Sequence, residues 1–176
     1  MTFQNSFKTE AFVLKKKPLL NKDLLVFLFT KNRGKVLVFG KGVRKITSRR
    51  QSFLETGNLI DIVLEKRNEI YYIKEVILIS GFYNIKSHKN KINLIYQLFF
   101  VLDKILPENQ KEEAVYNLIK SFFIKINQNN SNNKLIYQFI NKILISLGYL
   151  KQEVDESKID EIFFELTNEK IPTFII

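Results

Sequence analysis

The hydrophobic repeat of this chain changes near residue 85, and that change restricts the fold more than any other feature. Up to residue 80 the apolar residues fall in short runs rich in Val, Ile and Phe, and several runs alternate with polar residues. From residue 90 onward the apolar residues recur at spacings of three and four. A period of two is typical of a strand, and a period of 3.6 is typical of a helix. The sequence therefore predicts an α+β protein in which all strands precede the main helices.

Five strand-like segments lie before the change of period. They cover 7–14, 23–30, 35–39, 58–66 and 70–79. Two turns, at 31–34 and 67–69, join neighbouring segments into hairpins, and Gly34 supplies the positive φ that the first turn needs. Five short strands with two hairpins predict a five-stranded OB-type β-barrel, although an SH3-like barrel has the same number of strands.

Four amphipathic segments follow, and each predicts a helix. They cover 90–106, 112–126, 134–147 and, in a shorter helix capped by Ser157 and Asp160, 157–166. We therefore predict three parts of the chain. They are a nucleic-acid-binding barrel over 1–80, an all-α helical domain over 81–150, and an acidic C-terminal helix and tail over 151–176.

The positive charge of the chain is concentrated in the predicted barrel. The formal net charge is +10, but residues 1–80 carry 16 Lys and Arg against 7 Asp and Glu, while residues 151–176 carry 3 against 7. All five arginines lie within the first 67 residues, and three of them lie between 44 and 50. Arginine suits bidentate contact with phosphate. The distribution indicates a nucleic-acid surface on the barrel, while a solvated basic loop is the alternative that charge alone leaves open.

Two sets of residues are candidates for contact with nucleic acid. The candidate phosphate contacts are Lys35, Lys41, Arg44, Lys45, Arg49 and Arg50. Base stacking requires exposed rings on a basic face, and the aromatic residues nearest the basic segment are Phe39, Phe53, Tyr71 and Tyr72. Because Tyr71 and Tyr72 are adjacent on a predicted strand, we expect one of them to face outward.

Residues that carry catalysis or bind metal are scarce. The chain has no Cys, its one histidine is His88 in a charged segment, and it has no Walker-type loop or dinucleotide fingerprint. We expect a protein that is not an enzyme and needs neither a cofactor nor a metal. The longest apolar runs are far shorter than the ~20 residues of a membrane span, and the first residues lack the pattern of a signal peptide. We therefore expect a cytoplasmic protein without a membrane partner.

Several ordered stretches resemble the RecO family of bacterial recombination proteins. In the first half they are Glu10-Ala11-Phe12-Val13-Leu14-Lys15-Lys16-Lys17-Pro18, Lys22-Asp23-Leu24-Leu25-Val26-Phe27-Leu28-Phe29-Thr30, Gly34-Lys35, Lys41-Gly42-Val43-Arg44-Lys45 and Ser48-Arg49. In the second half they are 95–98, 106–108 and 137–150, which are similar to the helical domain of that family. The resemblance covers about residues 8–150.

This resemblance implies a fold and a function in DNA repair. RecO-like proteins have an N-terminal OB-fold, bind single- and double-stranded DNA, and anneal complementary strands without bond-making chemistry. They work with RecR to load the recombinase, and they contact the C-terminal tail of the single-strand-binding protein, which implies a nucleoid-associated protein. Many members carry a four-Cys zinc module after the position of Leu147-Gly148-Tyr149, but this chain has no Cys there, so we expect no zinc. An RNA-binding OB-fold module and a pure protein-interaction scaffold remain the alternatives.

Overall fold

A computed structural model describes residues 6–45, 48–128 and 133–173, and five strands form its first part. They are β1 (Ser6–Pro18), β2 (Leu24–Thr30), β3 (Gly34–Gly40), β4 (Leu59–Arg67) and β5 (Ile70–Ser80), with a short helix α1 (Arg50–Phe53) between β3 and β4. The strands close into a barrel in the order β1-β2-β3-β5-β4. All pairs are antiparallel except β3 with β5, which are parallel at Val38–Tyr71 and Phe39–Tyr72. The predicted five-stranded OB-type barrel is confirmed.

Strand β1 is longer than its hydrophobic pattern predicts. It continues through Lys15, Lys16 and Lys17 to Pro18, and its register against β2 shifts between Val13 and Lys15. A bulge of this kind bends a strand and increases its twist. The bend allows the first half of β1 to pair with β4 and the second half to pair with β2. Three lysines therefore lie on a barrel strand where the sequence predicted its end.

The interior of the barrel is filled by β-branched and leucine side chains from alternate strand positions. Two further core residues, Val43 and Leu54, come from the segment between β3 and β4 and are fully buried. Such close-packed apolar cores contribute most of the favourable free energy of folding. The segment between Val43 and Leu54, which contains the predicted basic cluster, is therefore anchored in the core at each end.

Five helices lie in the part of the chain that follows β5, within the residues that the structure describes. They are α2 (Tyr83–Lys86), α3 (Lys89–Ile105), α4 (Glu113–Gln128), α5 (Asn133–Ser146) and α6 (Glu156–Thr167). The four helices predicted from the period of 3.6 are confirmed to within two residues at each end. The predicted cap of α6 is wrong, because Asp155 is the N-cap and its carboxylate accepts the N–H of Lys158 at 2.9 Å. This places the capping carboxylate three residues before the N–H that it satisfies, as N-cap geometry requires.

The described residues divide into two compact units. The first lies within Met1–Phe82 and Pro107–Glu112, and the second within Tyr83–Leu106 and Glu113–Ile176. The short segment 107–112 thus interrupts the helical unit and belongs with the barrel. Its Asn109 donates a backbone hydrogen bond to the carbonyl of Lys35 at 2.8 Å, beside a bridge between Lys35 and Glu108. The segment therefore covers the first half of β3, where β5 does not pair with it.

Candidate nucleic-acid interface

One outer surface of the barrel combines apolar and aromatic side chains with lysines. Side chains alternate between the two faces of a strand, so the core residues Leu24, Val26 and Leu28 leave Leu25 and Phe27 on the outside of β2. The same alternation holds on β3 and at the start of β5. We call this surface the outer face, and it comprises Leu25, Phe27, Leu37, Phe39 and Tyr72, which are all half-buried or exposed.

Strand register places these side chains in two rows. In the first row, Lys17 of β1 lies opposite Leu25, Leu25 opposite Phe39, and Phe39 opposite Tyr72. In the second row, Lys15 lies opposite Phe27, and Phe27 opposite Leu37. Each row begins with a lysine of β1 and continues across apolar or aromatic side chains. The outer face is therefore an apolar strip with positive charge along its β1 side.

The rings on this strip have cations beside them. The Nζ atom of Lys15 lies 4.2 Å from the ring centre of Phe27, and the guanidinium carbon of Arg67 lies 5.8 Å from the ring centre of Tyr72. Both distances are within the range of a cation–π contact. A nucleic-acid strand on this surface would therefore meet ring faces for its bases and neighbouring cations for its phosphates.

A basic turn at residues 41–45 lies beside the outer face, directly after β3. Its side chains Lys41, Arg44 and Lys45 are exposed, whereas Val43 between them is fully buried in the barrel core. The N–H of Gly42 donates to the Asp23 carboxylate at 2.6 Å. We call residues 41–45 the basic turn. It is anchored by its own core residue, so its three cations project from a fixed support.

The basic turn is also fastened to the segment that joins β1 and β2. The N–H of Arg44 donates to the carbonyl of Lys22 at 2.9 Å, and the Arg44 guanidinium donates to the carbonyl of Leu19 at 3.1 Å. This joining segment contains a single 3-10 turn, Leu20–Lys22, whose Leu20 is highly exposed. In OB-folds the loop between the first two strands borders the ligand face. The basic turn and this loop therefore form one continuous rim.

The turn between β4 and β5 contributes less positive charge than its sequence indicates. Its Arg67 donates to the carboxylate of Glu65 at 2.6 Å. This hydrogen bond lowers the pKa of Glu65 and raises the pKa of Arg67, so both groups stay ionised and partly neutralise each other. Lys66 is paired with Glu69, and this hydrogen bond raises the pKa of Lys66. The net positive charge of the barrel rim is therefore strongest at the basic turn.

The predicted phosphate contacts fall into different positions. Lys41, Arg44, Lys45 and Arg49 are exposed, Arg50 is half-buried at the start of α1, and Lys35 is buried with only 9% of its surface exposed. Lys35 is covered because the segment 107–112 lies along its part of β3. The burial of Lys35 does not fit a phosphate contact, and we remove it from the candidate set.

The four predicted stacking residues also separate. Tyr72 faces outward and Tyr71 faces the core with 7% exposure, as the alternation on β5 predicts. Phe53 packs against the same core. Phe39 and Tyr72 are therefore the two predicted rings on the outer face. The candidate set drawn from the sequence did not include Phe27, and Lys15 and Lys17 were only its second choice after the basic cluster at 44–50. The alternation of β1 and β2 relative to the buried positions is the pattern that identifies all three.

Comparison with known proteins identifies the family. Residues 1–82, which contain the whole barrel, match the family model described as Recombination protein O N terminal. The chain is 31% identical over 146 residues to the DNA repair protein RecO of Thermoanaerobacter sp. (strain X514) and 32% identical over 150 residues to that of Clostridium novyi (strain NT). The chain belongs to the RecO family. The resemblance inferred from the sequence is thereby confirmed.

These relatives are longer than this chain. The matches cover 82% and 84% of this chain but only 59% and 58% of the two relatives. A third relative, the DNA repair protein RecO of Caldanaerobacter subterraneus, is 28% identical over 81% of this chain and 58% of its own length. The chain thus spans less than three fifths of the RecO proteins that it matches.

Two further properties bear on the site. Across residues 6–45, 48–128 and 133–173, no group of three or more His, Asp or Glu side chains is arranged to hold a metal ion. No helix in these same ranges is both long and apolar enough to cross a membrane.

Proposed function

We propose that this protein is a DNA repair and recombination mediator that binds single- and double-stranded DNA through the outer face and the basic turn. One observation carries the proposal. The anchored cations of the basic turn lie beside half-buried rings on the strand 2–3 face of the barrel, which is the face that OB-folds use for oligonucleotides. The relatives that match this chain are named DNA repair protein RecO.

The proposed mechanism is electrostatic and involves no bond-making chemistry. Exposed cations neutralise phosphates, and the release of counterions drives binding. The rings of the outer face stack against unpaired bases of a single strand. Because the bound cations screen the phosphates, a complementary strand can approach, and base pairing then supplies sequence selectivity. The protein thus acts as an annealing platform rather than as an enzyme.

Partners follow from the family. We propose that the protein works with a RecR-like protein to load the recombinase at the nucleoid in the cytoplasm. We also propose that its helical unit contacts the C-terminal tail of the single-strand-binding protein. Isothermal calorimetry with a tail peptide at low salt tests the second contact, and the absence of binding heat would count against it.

The central experiment is annealing of complementary oligonucleotides coated with single-strand-binding protein. The test variant replaces Arg44, Lys45, Arg49 and Arg50 with Ala, and the matched control replaces four exposed lysines of the helical unit with Ala, namely Lys89, Lys134, Lys142 and Lys151. Both variants lose the same charge. Each lost phosphate contact lowers the slope of log affinity against log salt by about 0.9 on duplex DNA or about 0.7 on single strands. We expect the test variant to lose a slope of roughly 3 and most of its annealing rate, and the control to keep both.

Competition experiments separate the alternatives. An RNA-binding module would prefer RNA of the same sequence over DNA. A protein-interaction scaffold would show no salt-sensitive DNA affinity at all. A folded test variant with the salt slope of the wild type would mean that the DNA site lies elsewhere on the protein.

A further inference from the structure

Helix α6 carries an open groove on the side away from its buried residues. The groove has a volume of about 450 Å³ and is lined by Ser157, Asp160, Glu161, Phe164, Lys170 and Ile171. This volume falls within the range of small ligand sites, about 300–1,000 Å³. The groove belongs to the helical unit, so it is separate from the proposed DNA surface on the barrel.

The helix that forms the groove is held firmly by the other helices of its unit. Its residues Ile159 and Phe163 are fully buried, and the ring of Phe163 lies 6.0 Å from that of Phe100 on α3. After the helix, the carbonyl of Pro172 accepts a hydrogen bond from the side chain of Gln97 at 2.9 Å. The helix that carries the groove and the segment that follows it are therefore both held by contacts with α3.

Two apolar side chains line the groove. Phe164 is 48% exposed on α6, and Ile171 lies in the segment that follows the helix. An exposed phenylalanine on a firmly packed helix presents a flat apolar surface of the kind that anchors peptide side chains in grooves.

The groove lining carries two carboxylates, Asp160 and Glu161, against one cation, Lys170. Asp160 accepts a hydrogen bond from the hydroxyl of Tyr137 at 3.1 Å, and Glu161 is paired with Lys158 at 2.8 Å. Burial, together with the charge and hydrogen bond of Asp160 and the charge of Glu156, raises the pKa of Tyr137 to about 12. Residues 151–176 carry 7 Asp and Glu against 3 Lys and Arg, although the whole chain has a net charge of +10. The groove lining therefore has one more carboxylate than cation, and it lies in an acidic segment of an otherwise positive protein.

We propose that the α6 groove binds a short segment of a partner protein in which apolar and cationic side chains alternate. The apolar side chains lie on Phe164 and Ile171, and the cationic groups face Asp160 and Glu161. The carboxylates would repel both nucleic acid and the acidic tail of a single-strand-binding protein, because each of these ligands is negatively charged. The proposal is independent of the DNA-binding function, since the two surfaces belong to different units.

Two labelled peptides test the proposal by fluorescence anisotropy with the full chain. The first peptide alternates lysine with leucine, and the second has every lysine replaced by glutamate. We expect the lysine peptide to bind and the glutamate peptide not to bind. We expect Phe164→Ala and Glu161→Lys each to weaken binding of the lysine peptide by about 10-fold, the usual effect of removing an interface anchor.

The same helix offers a matched control for each variant. Glu165 and Leu166 are exposed on α6 but lie outside the six described residues that line the groove. We therefore expect Glu165→Lys and Leu166→Ala to change the affinity less than twofold. Equal losses in test and control variants would mean diffuse attraction to the helix and would overturn the proposal. Binding of the glutamate peptide would overturn it too, as would a wild-type oligomer that Phe164→Ala converts to monomer, since a second copy would then fill the groove.

Discussion

The rings of Phe39 and Tyr72 meet edge-on across the parallel pair of β3 and β5, with 5.5 Å between their centres and 67° between their planes. The contact holds both rings in place before any ligand arrives. Aromatic pairs at this distance and angle are favourable beyond the area that they bury. Both rings keep part of their surface open on the outer face. A base that stacks there therefore meets a preformed surface and does not have to order a mobile side chain.

This pair should contribute to single-strand affinity more than to duplex affinity. We expect Phe39→Ala and Tyr72→Ala each to weaken binding of a labelled single strand by roughly 10-fold, because one stacked base is worth about 1–3 kcal/mol. Duplex affinity should fall less, since paired bases already stack on each other. Tyr72→Phe keeps the ring and should keep the affinity.

Ile77→Ala is the control for this measurement. Ile77 is 60% exposed farther along β5, opposite Asp61 and outside the outer face. Anisotropy titrations of all four variants with single-stranded and duplex DNA measure these affinities, and circular dichroism verifies that each variant is folded. Equal losses on single strand and duplex would argue against stacking.

The barrel and its hairpins could be predicted because each strand carries its own local pattern. The alternation of apolar and polar residues predicted the strands. The positive φ that was predicted for Gly34 is observed, with a value of +66°. Alternation also predicted that one of the two adjacent tyrosines faces outward, and the structure shows that it is Tyr72. The closure of β3 on β5 could not be predicted in the same way, because it joins residues more than 30 positions apart through only two described pairs.

Three features of the site depend on contacts that the local pattern does not contain. Val43 stands among charged residues, so its role as a core anchor of the basic turn follows only from the closed barrel. Lys35 is buried by a segment more than 70 residues away in the chain. The bulge after Val13 keeps Lys15 and Lys17 on a strand that the lysine run was expected to end. In each case tertiary packing overrides the composition of the segment.

The two lysines of β1 should contribute phosphate contacts. We expect the double variant Lys15→Ala, Lys17→Ala to lower the single-strand salt slope by about 1.4, from two contacts of about 0.7 each. The matched control, Lys89→Ala with Lys151→Ala, removes the same charge from exposed positions of the helical unit. Affinity measured at several salt concentrations gives both slopes. If both double variants lose the same slope, net charge rather than the outer face attracts DNA.

Gly34 should be intolerant of any side chain. A Cβ atom at this position would lie 1.6 Å from the carbonyl oxygen of Gln110, in the segment that covers β3, and φ is +66°. Gly148 isolates the conformational part of the penalty, because its φ is +81° and no described atom lies within 4 Å of its added Cβ. We expect Gly148→Ala to cost about 1–2 kcal/mol and Gly34→Ala about 3 kcal/mol or more. Urea unfolding followed by circular dichroism measures both, and equal costs would mean that segment 107–112 is not fixed there.

Tyr137 should make the stability of the helical unit fall at high pH. Burial, with the charge and hydrogen bond of Asp160, raises its pKa from 10.0 to about 12. A raised pKa means that the folded state favours the neutral hydroxyl, so this contribution is fully present below pH 10 and is lost as the pH rises toward 12. A two-unit shift corresponds to at most about 2.7 kcal/mol, which solvent screening at this partly exposed side chain reduces to about 1 kcal/mol.

A difference titration measures this pKa directly. The tyrosinate absorbance of the wild type and of Tyr137→Phe should coincide up to about pH 11, because the residue that differs ionises above that value. Asp160→Asn removes the nearby charge and should bring the titration of Tyr137 down toward its ordinary range. Between pH 9 and 11, the free energy of unfolding should fall more steeply in the wild type than in Tyr137→Phe, which has no hydroxyl to ionise. A wild-type absorbance change near pH 10 that is one tyrosine larger than that of the variant would show that the contact between Tyr137 and Asp160 does not form.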